Sequence, residues 1–134
     1  MNGGEAIAEI LKAEGVEILL CYPVNHIIEH AARVDIRTIV VRQERVGLHM
    51  ADAISRLTSG RTLGVFAMQH GPGAENAFGG VAQAYGESAP ILVLPQGYSR
   101  RQAQVPPNFS AVRSMRDVTK SAETITLTSE IPNI

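Results

Sequence analysis

The feature that most constrains the fold of this chain is the alternation of short apolar segments with longer amphipathic ones. Short segments rich in Ile, Leu and Val are typical of buried strands, and they occupy residues 16–21, 37–41, 62–68 and 91–94. Between these segments, apolar residues recur every three or four positions, which is typical of helices that bury one side. Strands that alternate with helices predict an α/β fold with a mostly parallel sheet covered on both faces.

Helical spacing predicts where the helices lie. The first helix ends at Gly15, since glycine commonly follows the last helical residue, and Asn25 is a candidate cap for a short helix over residues 26–33. A later helix buries a predicted stripe of Val46, Met50, Ala53, Ile54 and Leu57, and another spans residues 74–85. An irregular loop over 96–108, a short helix over 110–117 and a fifth strand near 124–127 complete the prediction.

Composition excludes several classes of protein. The chain has 134 residues, of which 45% are hydrophobic, and this is enough for one compact core. Its formal net charge is −1, so a broad nucleic-acid surface is not expected. Because Cys21 is the only cysteine, a disulfide within the chain and a cysteine-based zinc site are excluded. No apolar run approaches the roughly 18 residues of a membrane span, and no signal peptide is recognisable, so we expect a cytoplasmic protein.

Polar side chains follow three of the predicted strands, at residues 22–26, 42–45 and 69–76. In parallel sheets, ligands bind beyond the C-terminal ends of the strands. His26 and Glu44 lie in these segments, and both side chains can transfer protons. The pattern alone leaves two interpretations for each: His26 is a surface residue or a functional one, and Glu44 stabilises a helix start or faces a ligand.

The segment HGPGAEN at residues 70–76 forms a glycine turn between a predicted strand and a predicted helix. Backbone N–H groups at such a turn can hold an anion. The segment is not a P-loop, since no Gly-Lys-Ser/Thr follows. It is not a dinucleotide-binding fingerprint either, because Asn76 occupies the third glycine position and no acid follows the next strand. Tight packing and ligand binding both remain open for this turn, and Cys21 is expected to be a core residue.

Three stretches together resemble one known family: GVEILLCYP, VRQERVGLHMADAISRLTSG and HGPGAENAFGGVAQAYGESAPILVL. Their combination resembles the N-terminal pyrimidine-binding domain of thiamine-diphosphate enzymes of the acetolactate synthase, benzoylformate decarboxylase and benzaldehyde lyase group. The resemblance runs from about residue 3 to about residue 127. It implies a three-layer α/β/α fold, and decarboxylation or carboligation of small 2-oxo acids or related carbonyl compounds in a complete enzyme.

The resemblance also implies roles for particular residues. Glu44 corresponds to the glutamate that hydrogen-bonds N1′ of the cofactor's aminopyrimidine, which favours the imino tautomer at N4′ and so promotes loss of the C2 proton. His26 matches, by its offset after the first strand, a histidine that faces the substrate and can relay protons. The residues expected to bind the cofactor are Pro23, Val24, Glu44, His70, Gly71, Pro72, Gly73 and Asn76.

The chain departs from the family pattern at two loops. The family usually has Gly-x-Pro-Gly-Gly where this chain has Cys-Tyr-Pro-Val-Asn at residues 21–25. It often has Thr or Ser before the glycine turn, where this chain has Gln69 and His70. We therefore expect a substrate pocket unlike that of acetolactate synthase.

Family members are several times longer than this chain and hold the diphosphate and Mg²⁺ on a separate C-terminal domain. The resemblance thus implies thiamine diphosphate and Mg²⁺ as cofactors, no metal ligand within this chain, and a diphosphate-binding domain of the same or another chain as partner. The complete enzyme is expected to be a homodimer or homotetramer, without nucleic-acid or membrane partners.

Residues 1–134 are expected to form a pyrimidine-binding domain truncated at its C-terminal end. Three origins stay open: a fragment of a longer enzyme, the α subunit of a two-subunit decarboxylase, and a non-catalytic module that retains the fold.

Overall fold

A computed structural model describes residues 1–103 and 105–134 and shows strands and helices alternating along the chain. The elements are α1 (Gly3–Ala13), β1 (Ile18–Cys21), α2 (Ile27–Arg33), β2 (Arg37–Val40), α3 (Glu44–Leu57), β3 (Gly64–Met68), α4 (Pro72–Gly86), β4 (Ile91–Pro95) and α5 (Ala111–Met115). Short 3-10 helices follow at Arg116–Val118 and Thr128–Asn133. The four strands are all parallel, as predicted, and lie in the order β2-β1-β3-β4.

The sheet is covered on both faces, so the molecule has three layers. Leu19 and Cys21 of β1 belong to one hydrophobic cluster, which includes buried residues of α1 and α2. Leu20 belongs to a second cluster on the opposite face, with residues of α3 and α4. Successive residues of a strand point to opposite faces, so an uninterrupted apolar strand supplies both clusters. The predicted three-layer α/β/α fold is confirmed.

Cys21 lies in the core, as expected. It is buried, and its Sγ lies 3.5 Å from the carbonyl oxygen of Ile39. Burial raises the pKa of this thiol, which lowers the share of the nucleophilic thiolate. The prediction that Cys21 is a core residue is therefore confirmed.

The side of α3 that packs on the sheet is not the predicted one. The expected stripe is largely exposed, and Leu57 at its end is 85% exposed. The buried residues of α3 are Glu44, Gly47, Leu48, Ala51, Asp52 and Ser55. The physical reason is close approach: a Cβ on Gly64 of β3 would overlap the backbone carbonyl of Ala51. A helix this near the sheet needs small residues such as Gly47, Ala51 and Ser55 on its inner side, and apart from Leu48 its large apolar residues are partly or largely exposed.

The predicted fifth strand is wrong. Residues 124–127 form no strand, and β4 is an edge of the sheet. The backbone N–H groups of Thr126 and Leu127 instead donate to the Glu130 carboxylate at 2.8 and 2.9 Å. These hydrogen bonds lower the pKa of Glu130, because they favour its charged form. The donors that a strand would offer to a neighbour are thus satisfied locally.

The remaining predictions of secondary structure hold within a few residues. Gly15 follows α1 with a φ of +78°, as expected of a residue that ends a helix. The described residues of the predicted loop 96–108 form no helix or strand, and Gln104 lies outside the described residues. No helix in the described ranges has the length and apolar character needed to cross a bilayer.

Candidate functional site

Glu44 is the first residue of α3 and lies at the edge of the sheet where the parallel strands end. Gln43 before it is extended, with φ −153° and ψ 139°, so the helix begins at the carboxylate. Although it is an ionisable residue at a helix start, Glu44 is only 3% exposed. Carboxylates are rarely this buried without a partner, which marks Glu44 as a candidate functional residue.

The glycine turn after β3 lies against this carboxylate. The Asn76 side chain donates from Nδ2 to Glu44 Oε2 at 3.2 Å. A Cβ on Gly73 would lie 3.4 Å from Glu44 Oε1 and 2.6 Å from Cγ of Gln69. Gly73 therefore allows the turn to approach the carboxylate, and the structure brings together three residues that the sequence had placed in one site.

The electrostatic surroundings of Glu44 leave it available to a ligand. Within the described residues, no lysine, arginine or histidine forms an ion pair with it. Its neutral partner Asn76 occupies Oε2, and no hydrogen bond to Oε1 occurs in the described part of the chain. A buried carboxylate without a counter-charge is unfavourable, so a ligand N–H that donates to Oε1 would stabilise it.

Gly71 shapes the start of α4. It caps the helix with φ +56° and ψ −110°, a conformation that side chains with a Cβ strongly disfavour, and Pro72 follows as the first helical residue. The hydroxyl oxygen of Tyr98 lies 2.7 Å from the position that a Cβ on Gly71 would take. The predicted sharp turn is confirmed, and it requires glycine for both conformation and space.

The loop after β1 reaches the same edge. Asn25 donates from Nδ2 to the carbonyl oxygens of Met68 and Leu94 at 2.8 and 2.9 Å, and its Oδ1 accepts from the N–H of Ile27 at 3.1 Å. One side chain thus ties this loop to the ends of β3 and β4 and begins α2. Sequence analysis expected Asn25 to cap α2; the capping position is His26, one residue later, and Asn25 accepts from the first helical N–H instead.

Val24 in this loop adopts a strained backbone. Its φ is +69°, which is rare for a β-branched residue, and its side chain is 63% exposed. Val24 occupies a position where the family resemblance expects glycine. The backbone conformation suited to glycine is therefore present without the glycine.

Replacing Val24 with Gly is expected to raise the free energy of unfolding by about 1 kcal/mol. The relief of about 1–3 kcal/mol of strain exceeds the loss of about 0.5–1 kcal/mol from the greater freedom of unfolded glycine. Urea unfolding followed by circular dichroism measures the change. Val24→Ala is the matched control and should gain less, because its Cβ remains. If Val24→Gly is less stable than the parent, the inference that the backbone of Val24 is strained is wrong.

The other predicted residues lie around this edge without hydrogen bonds to Glu44. Pro23, Val24 and His26 are exposed on the loop after β1, and Pro72 is exposed at the start of α4. His70 is half-buried and packs edge-on against Tyr98, with ring centroids 4.4 Å apart. The direct contacts thus join Glu44 to Gly73 and Asn76, while the remaining residues line neighbouring loops.

Sequence analysis missed two residues after β4. The side-chain oxygen of Gln96 is buried and has no hydrogen-bond partner within the described residues, and Tyr98 covers His70 and Gly71. Their position in the sequence could have indicated them, because they follow a predicted strand and therefore lie at the same edge of the sheet as the glycine turn. A cavity of about 710 Å³ beside β4 and α5 contains none of the predicted site residues.

Comparison with known protein families gives one match that covers most of the chain. Residues 1–122 match the family model described as thiamine pyrophosphate enzyme, N-terminal TPP binding domain. This match agrees with the resemblance drawn from the sequence motifs.

Individual relatives are between 33% and 40% identical to the chain over the aligned residues. A probable acetolactate synthase large subunit of Methanocaldococcus jannaschii is 38% identical over 97 residues, or 70% of this chain and 16% of its own length. The acetolactate synthase large subunit of Haemophilus influenzae is 33% identical over 98 residues, or 70% of this chain and 17% of its own. The 2-hydroxyacyl-CoA lyase 2 of Xenopus laevis is 40% identical over 95 residues, or 69% of this chain and 14% of its own. The chain therefore spans less than a fifth of these relatives.

Proposed function

This chain belongs to the thiamine pyrophosphate enzyme family through its N-terminal TPP binding domain, and on that premise we propose that it forms the pyrimidine-binding part of an enzyme acting on 2-oxo acids or related carbonyl compounds. The reaction we propose is decarboxylation or carboligation, of the acetolactate synthase type. Residues 1–134 are proposed to act as one domain within a larger assembly.

The observation that carries the proposal is the buried Glu44 carboxylate beside the glycine turn. Its Oε1 is open to a donor, while Asn76 holds Oε2 at 3.2 Å. These features fit the edge of an aminopyrimidine ring, whose N1′ can share a proton with Oε1. Gly71, Pro72 and Gly73 would border the ring from the turn after β3, and Pro23 and Val24 from the loop after β1.

When bound, the cofactor would supply a carbon nucleophile for the carbonyl group of a substrate. The chain's own contribution is to hold the proton shared between Glu44 Oε1 and N1′, and to exclude water from that pair by burial. His26 is proposed as a proton relay to the substrate, since it lies at the same edge at the start of α2. Replacing Glu44 with Gln in the assembled enzyme tests this function through the exchange rate of the cofactor's C2 proton.

The diphosphate and Mg²⁺ are assigned to a diphosphate-binding domain of the same or another chain, within a homodimer or homotetramer. Among the described residues, no cluster of three or more His, Cys, Asp or Glu is placed to hold a metal ion. Mg²⁺ binding to a diphosphate uses carboxylate and carbonyl oxygens together with phosphate oxygens. The matched segment covers 16% and 17% of the length of two relatives, which leaves room for such a domain in proteins of this family.

The 134-residue chain by itself is expected to bind thiamine diphosphate and Mg²⁺ only weakly. Most of the binding energy comes from charge-assisted contacts to the diphosphate, whereas the pyrimidine offers a few hydrogen bonds and a small apolar area. The exposed side of α3, with Val46, Met50 and Leu57, should also cause self-association. Isothermal calorimetry and light scattering measure the two effects.

Leu57→Glu is the matched variant for the self-association, because this residue is exposed and its replacement leaves the core unchanged. It should shift the light-scattering mass toward the monomer and leave the weak cofactor binding as it was. Micromolar, Mg²⁺-dependent binding by a monomeric parent chain would show that the site lies within this chain alone.

A further inference from the structure

Asn25, in the loop after β1, uses both ends of its side-chain amide within the chain. Its Nδ2 donates to the carbonyl oxygens of Met68 and Leu94 at 2.8 and 2.9 Å, and its Oδ1 accepts from the N–H of Ile27 at 3.1 Å. A side-chain amide offers two N–H donors and an acceptor oxygen, so the donors are fully used. The proposed function assigns no role to this residue, and the family usually has glycine at its position.

These hydrogen bonds join loops that follow three different strands. Asn25 follows β1, whereas Met68 ends β3 and Leu94 lies in β4, and β3 lies between β1 and β4 in the sheet. The Met68 carbonyl oxygen also accepts from the backbone N–H of Gln96 at 2.8 Å. One carbonyl oxygen, directly before the glycine turn, therefore anchors both the loop after β1 and the loop after β4.

The strained residue of the loop after β1 directly precedes Asn25. Val24 has a φ of +69° and a largely exposed side chain, so packing of its own side chain does not hold this conformation. A strained backbone persists only where the surrounding structure fixes it. The hydrogen bonds of Asn25 fix the chain after Val24, and the Tyr22 N–H, which donates to the Ala67 carbonyl oxygen at 2.9 Å, fixes it before. The loop is thus held on both sides of Pro23 and Val24.

We propose that Asn25 is a positioning residue for the cofactor: its amide holds Pro23 and Val24 in the place where they border the aminopyrimidine ring. The inference rests on the proposed function, since it assumes that this ring binds beside Glu44. A loop that is fixed before binding loses little conformational freedom when the ligand arrives, and this increases affinity. Because its hydrogen bonds are made to the chain, Asn25 acts through the loop and is not a catalytic residue.

Two substitutions of Asn25 test this role in different ways. Asn25→Asp keeps the shape of the side chain and an oxygen for the N–H of Ile27, but it replaces the donor nitrogen with an oxygen that faces two carbonyl oxygens. Asn25→Ala removes all three hydrogen bonds without adding a charge. Asn108→Asp is the matched control, because Asn108 Nδ2 also donates to a carbonyl oxygen, that of Gln102 at 2.8 Å, and neither residue belongs to the candidate site. Circular dichroism of each variant checks that it is folded.

The first measurement needs no cofactor and uses the Leu57→Glu chain to reduce self-association. A strong NOE between the amide and α protons of Val24 marks its positive φ, since these two protons are closest in that conformation. The NOE should be strong in the parent and in Asn108→Asp, and it should weaken in both Asn25 variants as the backbone relaxes. An equally strong NOE in Asn25→Ala would mean that Asn25 does not hold the loop, and would overturn the proposal.

The second measurement is binding of thiamine diphosphate with Mg²⁺ to the assembled enzyme. Both Asn25 variants should raise the dissociation constant about tenfold, the effect expected from losing one or two hydrogen bonds. Relative to the parent at the same pH, lowering the pH should improve binding in Asn25→Asp, because a protonated carboxyl group can donate one hydrogen bond, but not in Asn25→Ala. Parent-like affinity in Asn25→Ala would overturn the proposal, since any loss in Asn25→Asp alone would then come from its added charge.

The outcome is distinguishable from a failure of the proposed function. At saturating cofactor, C2 proton exchange in Asn25→Ala should proceed at the parent rate, because Glu44 is unchanged. If Glu44→Gln leaves this exchange unchanged, the proposed function is wrong whatever Asn25 does. If Glu44→Gln slows the exchange while Asn25→Ala binds the cofactor as tightly as the parent does, only the role of Asn25 is wrong.

Discussion

Replacing Glu44 with Gln is expected to slow exchange of the C2 proton of bound thiamine diphosphate by about 10²–10⁴-fold in the assembled enzyme, the range typical of general acid–base groups. Gln keeps the length of the side chain and can still accept a hydrogen bond from Asn76. It cannot share an acidic proton with N1′. The shape of the site is therefore retained while its proton is lost.

The measurement is the rate at which the C2 proton of bound cofactor exchanges with deuterium, followed by NMR after an acid quench. Glu75→Gln is the matched control, because Glu75 also lies in the first turn of a helix, α4, but is exposed. The control should exchange at the parent rate. Exchange at the parent rate in Glu44→Gln, with cofactor fully bound, would remove Glu44 from the proposed mechanism.

Replacing Gly64 with Ala is expected to lower the free energy of unfolding by about 3 kcal/mol or more, at the upper end of the cost of overpacking. The added Cβ would overlap the backbone carbonyl of Ala51 in α3. A backbone group cannot rotate away as a flexible side chain can, so α3 must shift from the sheet. Because α3 begins at Glu44, this variant should also displace the carboxylate.

Urea unfolding monitored by circular dichroism measures the loss of stability. Gly79→Ala in α4 is the matched control, since no atom lies within 4 Å of its added Cβ. Alanine is the better helix former by about 1 kcal/mol, so the control should be more stable than the parent. Equal stability of Gly64→Ala and the parent would mean that α3 lies farther from β3 than the structure shows.

Residues whose role depends on local chemistry were predictable from the sequence. An uninterrupted apolar strand such as β3 must be buried on both faces, which led to the three-layer fold now confirmed. Gly71 was recognisable because Gly-Pro-Gly is typical of a sharp turn, in which glycine can adopt a positive φ and proline fixes its own φ. The carboxylate of Glu44 was ambiguous from spacing alone, and the family motifs supported a ligand-facing role that stays a prediction.

Residues whose role depends on distant partners were not predictable. Leu57 and Val46 fit a buried helical stripe, but the close approach of Ala51 to Gly64 turns the other side of α3 toward the sheet. Residues 124–127 have the β-branched composition of a strand, but Glu130 satisfies their N–H groups. In both cases a contact that the local pattern does not encode outweighed the local preference.

The sequence by itself therefore determined the order of strands and helices as far as β4, the parallel sheet, the burial of Cys21 and the edge at which Glu44 and the glycine turn lie. Only the tertiary structure decided that Asn76 holds Glu44, that Asn25 ties β3 to β4, and that Tyr98 packs on His70. The physical reason is the range of the interactions. Periodicity and turn chemistry act over a few neighbouring residues, whereas these contacts join residues 28 or more positions apart, and their partners are set by the packing of whole helices and strands.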